Sequence, residues 1–175
     1  KGVEIFMQKY FIHAKNVGDL TRIFLTAMEE NLLKSKSQYK LMIGNLLGIG
    51  SSKKPFGKGF VVENGRLNIS AKDLFKENPL NILNLFVNAL SSQRLIHPDA
   101  LRAVALNLNL VDENFRNSVD ANNIFLNLLI GFGNPERVLR RMNEVGFLGA
   151  FIPQFGRIVG LMQFNMYHSF TVDEH

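Results

Sequence analysis

Three of the five prolines mark the starts of short helices from residue 79 on. Proline has a fixed φ and no backbone N–H, so a helix accepts it only in the first turn. Asn78-Pro79 and Asn134-Pro135 each place a capping side chain directly before a proline, and His97-Pro98-Asp99 opens a helix in a similar way. The apolar residues between these starts recur at helical spacing. Leu80, Ile82, Leu83, Leu85 and Phe86 face inward on one helix, Leu101, Val104, Ala105 and Leu108 on the next, and Ile124, Phe125, Leu128 and Leu129 on a third. Gly146 and Gly149 suit helix ends, where a left-handed residue is needed. The starts are too irregularly spaced to form a sequence repeat.

Ahead of them lies one β-like stretch. Phe60–Glu63 and Arg66–Ile69 flank Asn64-Gly65, a pair that readily supplies the two positive φ values of a tight hairpin turn. A lone hairpin is marginal in water, so it must lean on helices. Further upstream, Val3, Phe6, Tyr10, Phe11, Ala14, Val17, Leu20, Phe24, Met28 and Leu32 fall at three- and four-residue steps. That spacing puts them on one face of a long amphipathic helix, which Gly18 bends or breaks. The fold class is all-α: an irregular multi-helix bundle with one small β-hairpin near 60–69. Four segments follow: a long helix at 1–33, a flexible basic connection at 34–58, a helical domain at 59–170, and the start of a new element at 171–175.

Composition narrows the function classes. Hydrophobic residues make up 46% of the 175, enough for a single core. The chain has no Cys, which excludes disulfides, thiolate zinc sites and Cys nucleophiles, and which fits a reducing cytoplasm. Its apolar runs are too short and too interrupted for a membrane span. It starts at Lys1 and not at Met, so it reads as part of a longer protein. Thirteen Lys/Arg face six Asp/Glu up to Lys76, an excess of +7, whereas seven Arg face nine acids from Glu77 on, a balance of −2. The early lysines are scattered among Gly and Ser and line no single helix face, so they read as a solvated linker and not as a nucleic-acid surface.

Most candidate motifs fail. Gly50-Ser51-Ser52-Lys53 resembles the Gly-Ser turn of nucleotidyltransferases but lacks the alternating acids that hold two metal ions. Gly57-Lys58-Gly59 has neither the earlier glycine spacing nor the following Ser/Thr of a phosphate loop. His13 and His97 read as packing or capping residues. Thr171-Val172-Asp173-Glu174 has the pattern of a capping box, in which Thr171 caps the Glu174 amide and Glu174 reaches back. A helix therefore starts here, with His175 on its first turn.

From about Gly59 to His175 the chain resembles the bacterial protein-PII uridylyltransferase/uridylyl-removing enzymes. The stretches that carry the resemblance are Phe75 to Phe86 (FKENPLNILNLF), Leu139 to Phe147 (LRRMNEVGF) and Leu148 to His175, which includes MQFNMYH and TVDEH. Met7-Gln8-Lys9-Tyr10-Phe11 is similar to the helix that follows the catalytic domain in that family. The resemblance implies a bifunctional enzyme of nitrogen regulation. A nucleotidyltransferase domain moves UMP from UTP to the PII protein, an HD hydrolase domain removes it, and two ACT domains sense glutamine. This chain corresponds to the helical segment between the nucleotidyltransferase and HD domains, so it is expected to be non-catalytic. Mg²⁺ or Mn²⁺ would serve the intact enzyme, and none is expected in this segment.

The resemblance implies that His175 is the first HD-domain metal ligand, in an incomplete site. His168 also matches the family pattern, without an assigned role. Arg140, Arg141 and Arg157 are candidates for phosphate or interdomain contacts; the plainer reading pairs them with Glu136, Glu144 and Asp173. Residues from about Leu161 onward, with Met162, Phe164, Met166, Tyr167 and Phe170, are expected to pack less well than the helices before them without the HD domain.

Two other readings have residues behind them. Glu77 to Leu83 is similar to the helix after the catalytic domain of tRNA nucleotidyltransferases, although residues 77–175 are net acidic. A stand-alone helical interaction domain is the third. The expected partners are PII, UTP, glutamine and the neighbouring domains, with no nucleic acid and no membrane.

Overall fold

The computed structural model describes residues 2–18, 20–21, 24–25, 28, 53–131, 133–161 and 171–174. Residues 2–18 form the first helix, α1, and the described positions between 20 and 28 are also helical. Gly18 is itself helical, and Asp19 after it lies outside the described residues.

The hairpin forms as its sequence predicts. Strands β2 (Phe60–Glu63) and β3 (Arg66–Ile69) pair antiparallel, with Phe60 opposite Ile69 and Glu63 opposite Arg66. Asn64 and Gly65 take φ of 51° and 78°, the two left-handed positions of the turn. A third strand was not expected. Lys54–Pro55, called β1, lies in the stretch read as a flexible connection, yet it pairs along the outer edge of β2. Proline is tolerated there because an edge strand needs only one side of its ladder. Lys53 adds an ion pair to Glu63 at 3.4 Å. Glu63 also accepts from Asn68; burial alone would raise its pKa, but the Asn68 hydrogen bond and Lys53 pull it below the usual carboxylate range.

Beyond the sheet come α2 (Leu74–Glu77), α3 (Leu80–Ser91), α4 (Pro98–Leu106), a 3-10 turn at Leu108–Leu110, α5 (Glu113–Asn117), α6 (Val119–Ile130), α7 (Pro135–Glu144), α8 (Phe147–Phe151) and α9 (Pro153–Gly156). The described chain is mostly helical with a small antiparallel sheet, the architecture expected from sequence. Helix α3 is the central element and packs on α6, α7, α2 and β3. Ile82, Leu83, Leu85 and Phe86 are fully buried on it. Sequence spacing placed Ala105 and Leu129 inward on α4 and α6. Both are exposed, because α4 turns Ala100 and Val104 to the core and α6 turns Ala121, Phe125 and Leu128.

Two of the three proline starts read from the sequence carry the expected caps. The Asn78 side chain accepts from Leu80 N–H at 3.1 Å. His97 Nδ1 accepts from Asp99 N–H at 3.2 Å, while the ring itself is buried. Asn134 precedes Pro135 but makes no side-chain cap bond. Gly146 ends α7 with φ 78°, the left-handed closure predicted for it. Gly149 does something else: it lies inside α8, where its missing Cβ lets the chain pass close to Gly156. A methyl there would sit 3.1 Å from the Gly156 Cα.

The end of α3 shows how a side chain is held in glycine's conformation. Gln93 N–H donates to Leu90 O at 3.2 Å and Arg94 N–H to Ala89 O at 3.1 Å, the paired bonds of a Schellman turn. Gln93 has φ 52°, which crowds an L side chain. Gln93→Gly is therefore expected to raise stability by about 0.5–1 kcal/mol, the relief of that crowding less the greater freedom of glycine in the unfolded chain. An upward shift of the urea midpoint at constant slope would show it; an unchanged or lower midpoint would contradict the assignment.

Candidate functional site

Helix α1 meets the rest of the chain along a face that shares only Phe11, among the described residues, with its apolar pattern. Val3 and Phe6, expected inward, are each 67% exposed, and Tyr10, Val17, Leu20, Phe24 and Met28 also face outward. The half-buried residues are Met7, Gln8, Phe11, Ile12 and Lys15, a stripe at helical spacing with polar members. Gln8 Nε2 donates to the carbonyls of Arg157 and Val159 at 3.4 and 3.3 Å. Ile12 lies against Gly160, whose φ of 71° and lack of a Cβ allow the approach.

The polar centre of this contact is Asp173. Its side chain is 1% exposed, and its two oxygens accept from three separate parts of the fold. Oδ2 takes Lys15 Nζ of α1 at 3.1 Å and Asn143 Nδ2 of α7 at 3.0 Å. Oδ1 takes the Gly160 N–H at 2.9 Å. Burial alone would raise the Asp173 pKa, but the hydrogen bonds from Asn143, Gly160, Thr171 and Lys15 outweigh it and bring it to about 2. The backbone adds a bond from Val172 N–H to Leu161 O at 2.7 Å. One carboxylate thus clasps the first helix, α7 and the last described residues together.

The capping box predicted at 171–174 is replaced by this arrangement. Glu174 N–H donates to the Thr171 carbonyl at 3.0 Å, and residues 172–174 form a turn. The Glu174 carboxylate does not reach back; it takes Arg140. Arg140 also holds Glu136 through Nε at 3.0 Å and Nη2 at 2.8 Å. Glu136, with Glu174 beside it, raises the Arg140 pKa above its ordinary value. A cleft of about 350 Å³ lies here, walled by Leu139, Leu148, Phe155, Asp173 and the Glu136–Arg140–Glu174 chain.

The three candidate arginines are not brought together. Arg140 lines this cleft, Arg141 lines a different one and bonds Glu144 at 2.6 Å, and the Arg157 side chain is exposed. Glu136 and Glu144 are thus among the partners of Arg140 and Arg141. His13 is exposed on α1, while His97 caps α4. His168 and His175 lie outside the described residues, as do Met162 to Phe170 with the loose packing expected there. Among the described residues no three of His, Asp and Glu gather to hold a metal ion. Asp173, the buried carboxylate nearest in sequence to His175, has both oxygens engaged in hydrogen bonds.

Asp173 was legible in the sequence only as a member of a capping pattern or an ion-pair partner. No local signal marks its clasp, because its partners lie 158, 30 and 13 residues away.

Comparison with known proteins places the chain. Residues 60–151 match the family described as the uridylyltransferase GlnD third domain. Over 175 residues the chain is 50% identical to the bifunctional uridylyltransferase/uridylyl-removing enzyme of Ruegeria pomeroyi and 49% identical to that of Cereibacter sphaeroides. The enzyme of the same name from Azospirillum brasilense is 47% identical over 175 residues. In each case all of this chain aligns, and it spans 18% of the relative's length. No solved structure matches. The match covers the hairpin, the central helix α3 and the helices through α8, and on it the chain belongs to the uridylyltransferase GlnD third-domain family.

Proposed function

We propose that this chain is the helical scaffold between the nucleotidyltransferase and HD hydrolase domains of an enzyme that attaches UMP from UTP to the PII signalling protein and removes it again. The observation that carries this reading is the alignment of the whole chain, at about half identity, with enzymes named for both activities. The Asp173 clasp supports the scaffold role, since it ties the first helix to the residues just before His175. In this reading glutamine regulates the balance of the two reactions from further domains. Mg²⁺ or Mn²⁺, bound outside this segment except for a contribution from His175, would neutralise phosphate charge and activate water. The protein works in the cytoplasm on a protein substrate and takes no nucleic acid.

The segment itself supplies rigidity through a buried core around α3 and the Asp173 clasp. The full-length protein is expected to transfer UMP from labelled UTP to PII with Mg²⁺, and to release it when glutamine is added. Failure of transfer by well-folded full-length protein would remove the assignment.

A further inference from the structure

We propose that the cleft between the end of α3 and the start of α7 binds a small, multiply charged phosphoryl anion, between pyrophosphate and a nucleoside monophosphate in size. The cleft measures about 200 Å³ and shares no lining residue with the cleft beside the Asp173 clasp. Its rim carries Arg94, Arg137 and Arg141. A shallower hollow shares Arg94 and Arg137 and adds Arg66. No Asp or Glu lines either one.

Three features of the fold fix the backbone that carries the cleft's arginines. The Schellman turn at Gln93 sends Arg94 toward the hairpin, where its Nη1 donates to Gly65 O at 3.3 Å. Directly after it, Leu67 N–H donates to Leu95 O and His97 N–H to Leu67 O, both at 2.8 Å, so the Arg94 backbone is anchored to β3. On the other wall, Gly133 presses against Leu90, and a Cβ there would come within 2.8 Å of it. That contact sets the first turn of α7 against the end of α3. Arg137 and Arg141 then project from one face of α7, four residues apart.

The charge balance identifies the ligand class. The cleft's own three guanidiniums less the one carboxylate bonded to Arg141, that of Glu144, leave +2, and Arg66 in the adjoining hollow is a further cation. Like charges gathered in this way repel until an anion joins them. A single carboxylate would cancel one charge, whereas a phosphoryl group brings more charge and several oxygens that suit planar guanidinium forks. The floor is apolar, with Leu90, Ile96 and Val138, which gives a base or ribose somewhere to rest.

Hydrogen exchange on the full-length protein tests the site and keeps it apart from any catalytic centre elsewhere, because it reads segments. Millimolar pyrophosphate or UMP is expected to slow exchange in peptides covering residues 93–96 and 136–141, while KCl at equal ionic strength does not. Arg137→Gln, an exposed position, is expected to raise the concentration required about tenfold while leaving the melting temperature unchanged. Equal protection by the two ligands assigns the site to the phosphoryl group alone; stronger protection by UMP brings in the apolar floor. No protection by either ligand, equal protection by KCl, or protection unaltered in Arg137→Gln overturns the proposal. Segments protected without any ligand and indifferent to both anions would point to an acidic side chain of a neighbouring domain, and would overturn it too.

Discussion

Replacing Phe147 with Ala is expected to lower the stability of this chain by about 3–5 kcal/mol. Phe147 is fully buried and opens α8 directly after the left-handed Gly146. Its ring centroid lies 5.7 Å from Phe86 on α3 and 5.6 Å from Phe151, on which it stacks at 12°. Phe151 in turn meets Phe125 of α6 at 5.1 Å and Phe115 of α5 at 5.9 Å. Truncating the ring at the centre of this chain of aromatics leaves a cavity bounded by elements that cannot all move inward. Phe147→Leu keeps most of the volume and should cost clearly less, roughly 1–2 kcal/mol. Equilibrium urea unfolding separates the two; a loss under about 1 kcal/mol for the Ala variant would contradict a central place for Phe147.

Asp173→Asn is expected to cost about 2–4 kcal/mol, because the new amide turns an N–H₂ toward donors that had faced a carboxylate oxygen. Lys15 Nζ, Asn143 Nδ2 and the Gly160 N–H all point at this one group. The pH dependence has a definite sign. The folded pKa of about 2 lies below the ordinary 3.8, so the contribution is fully present above 3.8 and is lost as pH falls through 3.8 toward 2. The shift corresponds to roughly 2 kcal/mol for a side chain this well buried. Unfolding measured from pH 6 to pH 2 should show that loss in the parent chain and a flatter profile in Asp173→Asn. Parallel profiles would show that another group governs the acid range.

The parts of the fold legible in the sequence are those whose causes are local. Asn64-Gly65 dictates its own turn, Asn78-Pro79 and His97-Pro98 mark helix starts within a few residues, and the dense apolar run of α3 can only be buried. What was misread depends on partners far along the chain. Helix α1 packs through Gln8, Ile12 and Lys15 because Arg157, Val159, Gly160 and Asp173 offer them carbonyls, space and charge, and its more apolar face stays outside. Gly149 reads as a helix end until Gly156 is seen to press against it. The arginine cluster is invisible for the same reason, since Arg66, Arg94, Arg137 and Arg141 come from β3, the end of α3 and α7. The resemblance, carried by long composite stretches, located the family without fixing any of these contacts.

The scaffold assignment meets its most direct test when the 175-residue chain is assayed beside the full-length protein for both reactions. Each is incubated with labelled UTP and PII, and separately with uridylylated PII, in Mg²⁺ or Mn²⁺. Turnover is predicted only for the full-length protein, with the 175-residue chain folded by circular dichroism yet no faster than a blank lacking protein. Transfer or removal by the chain alone, abolished when Asp173 or Arg140 is substituted, would contradict the account and place chemistry inside this segment.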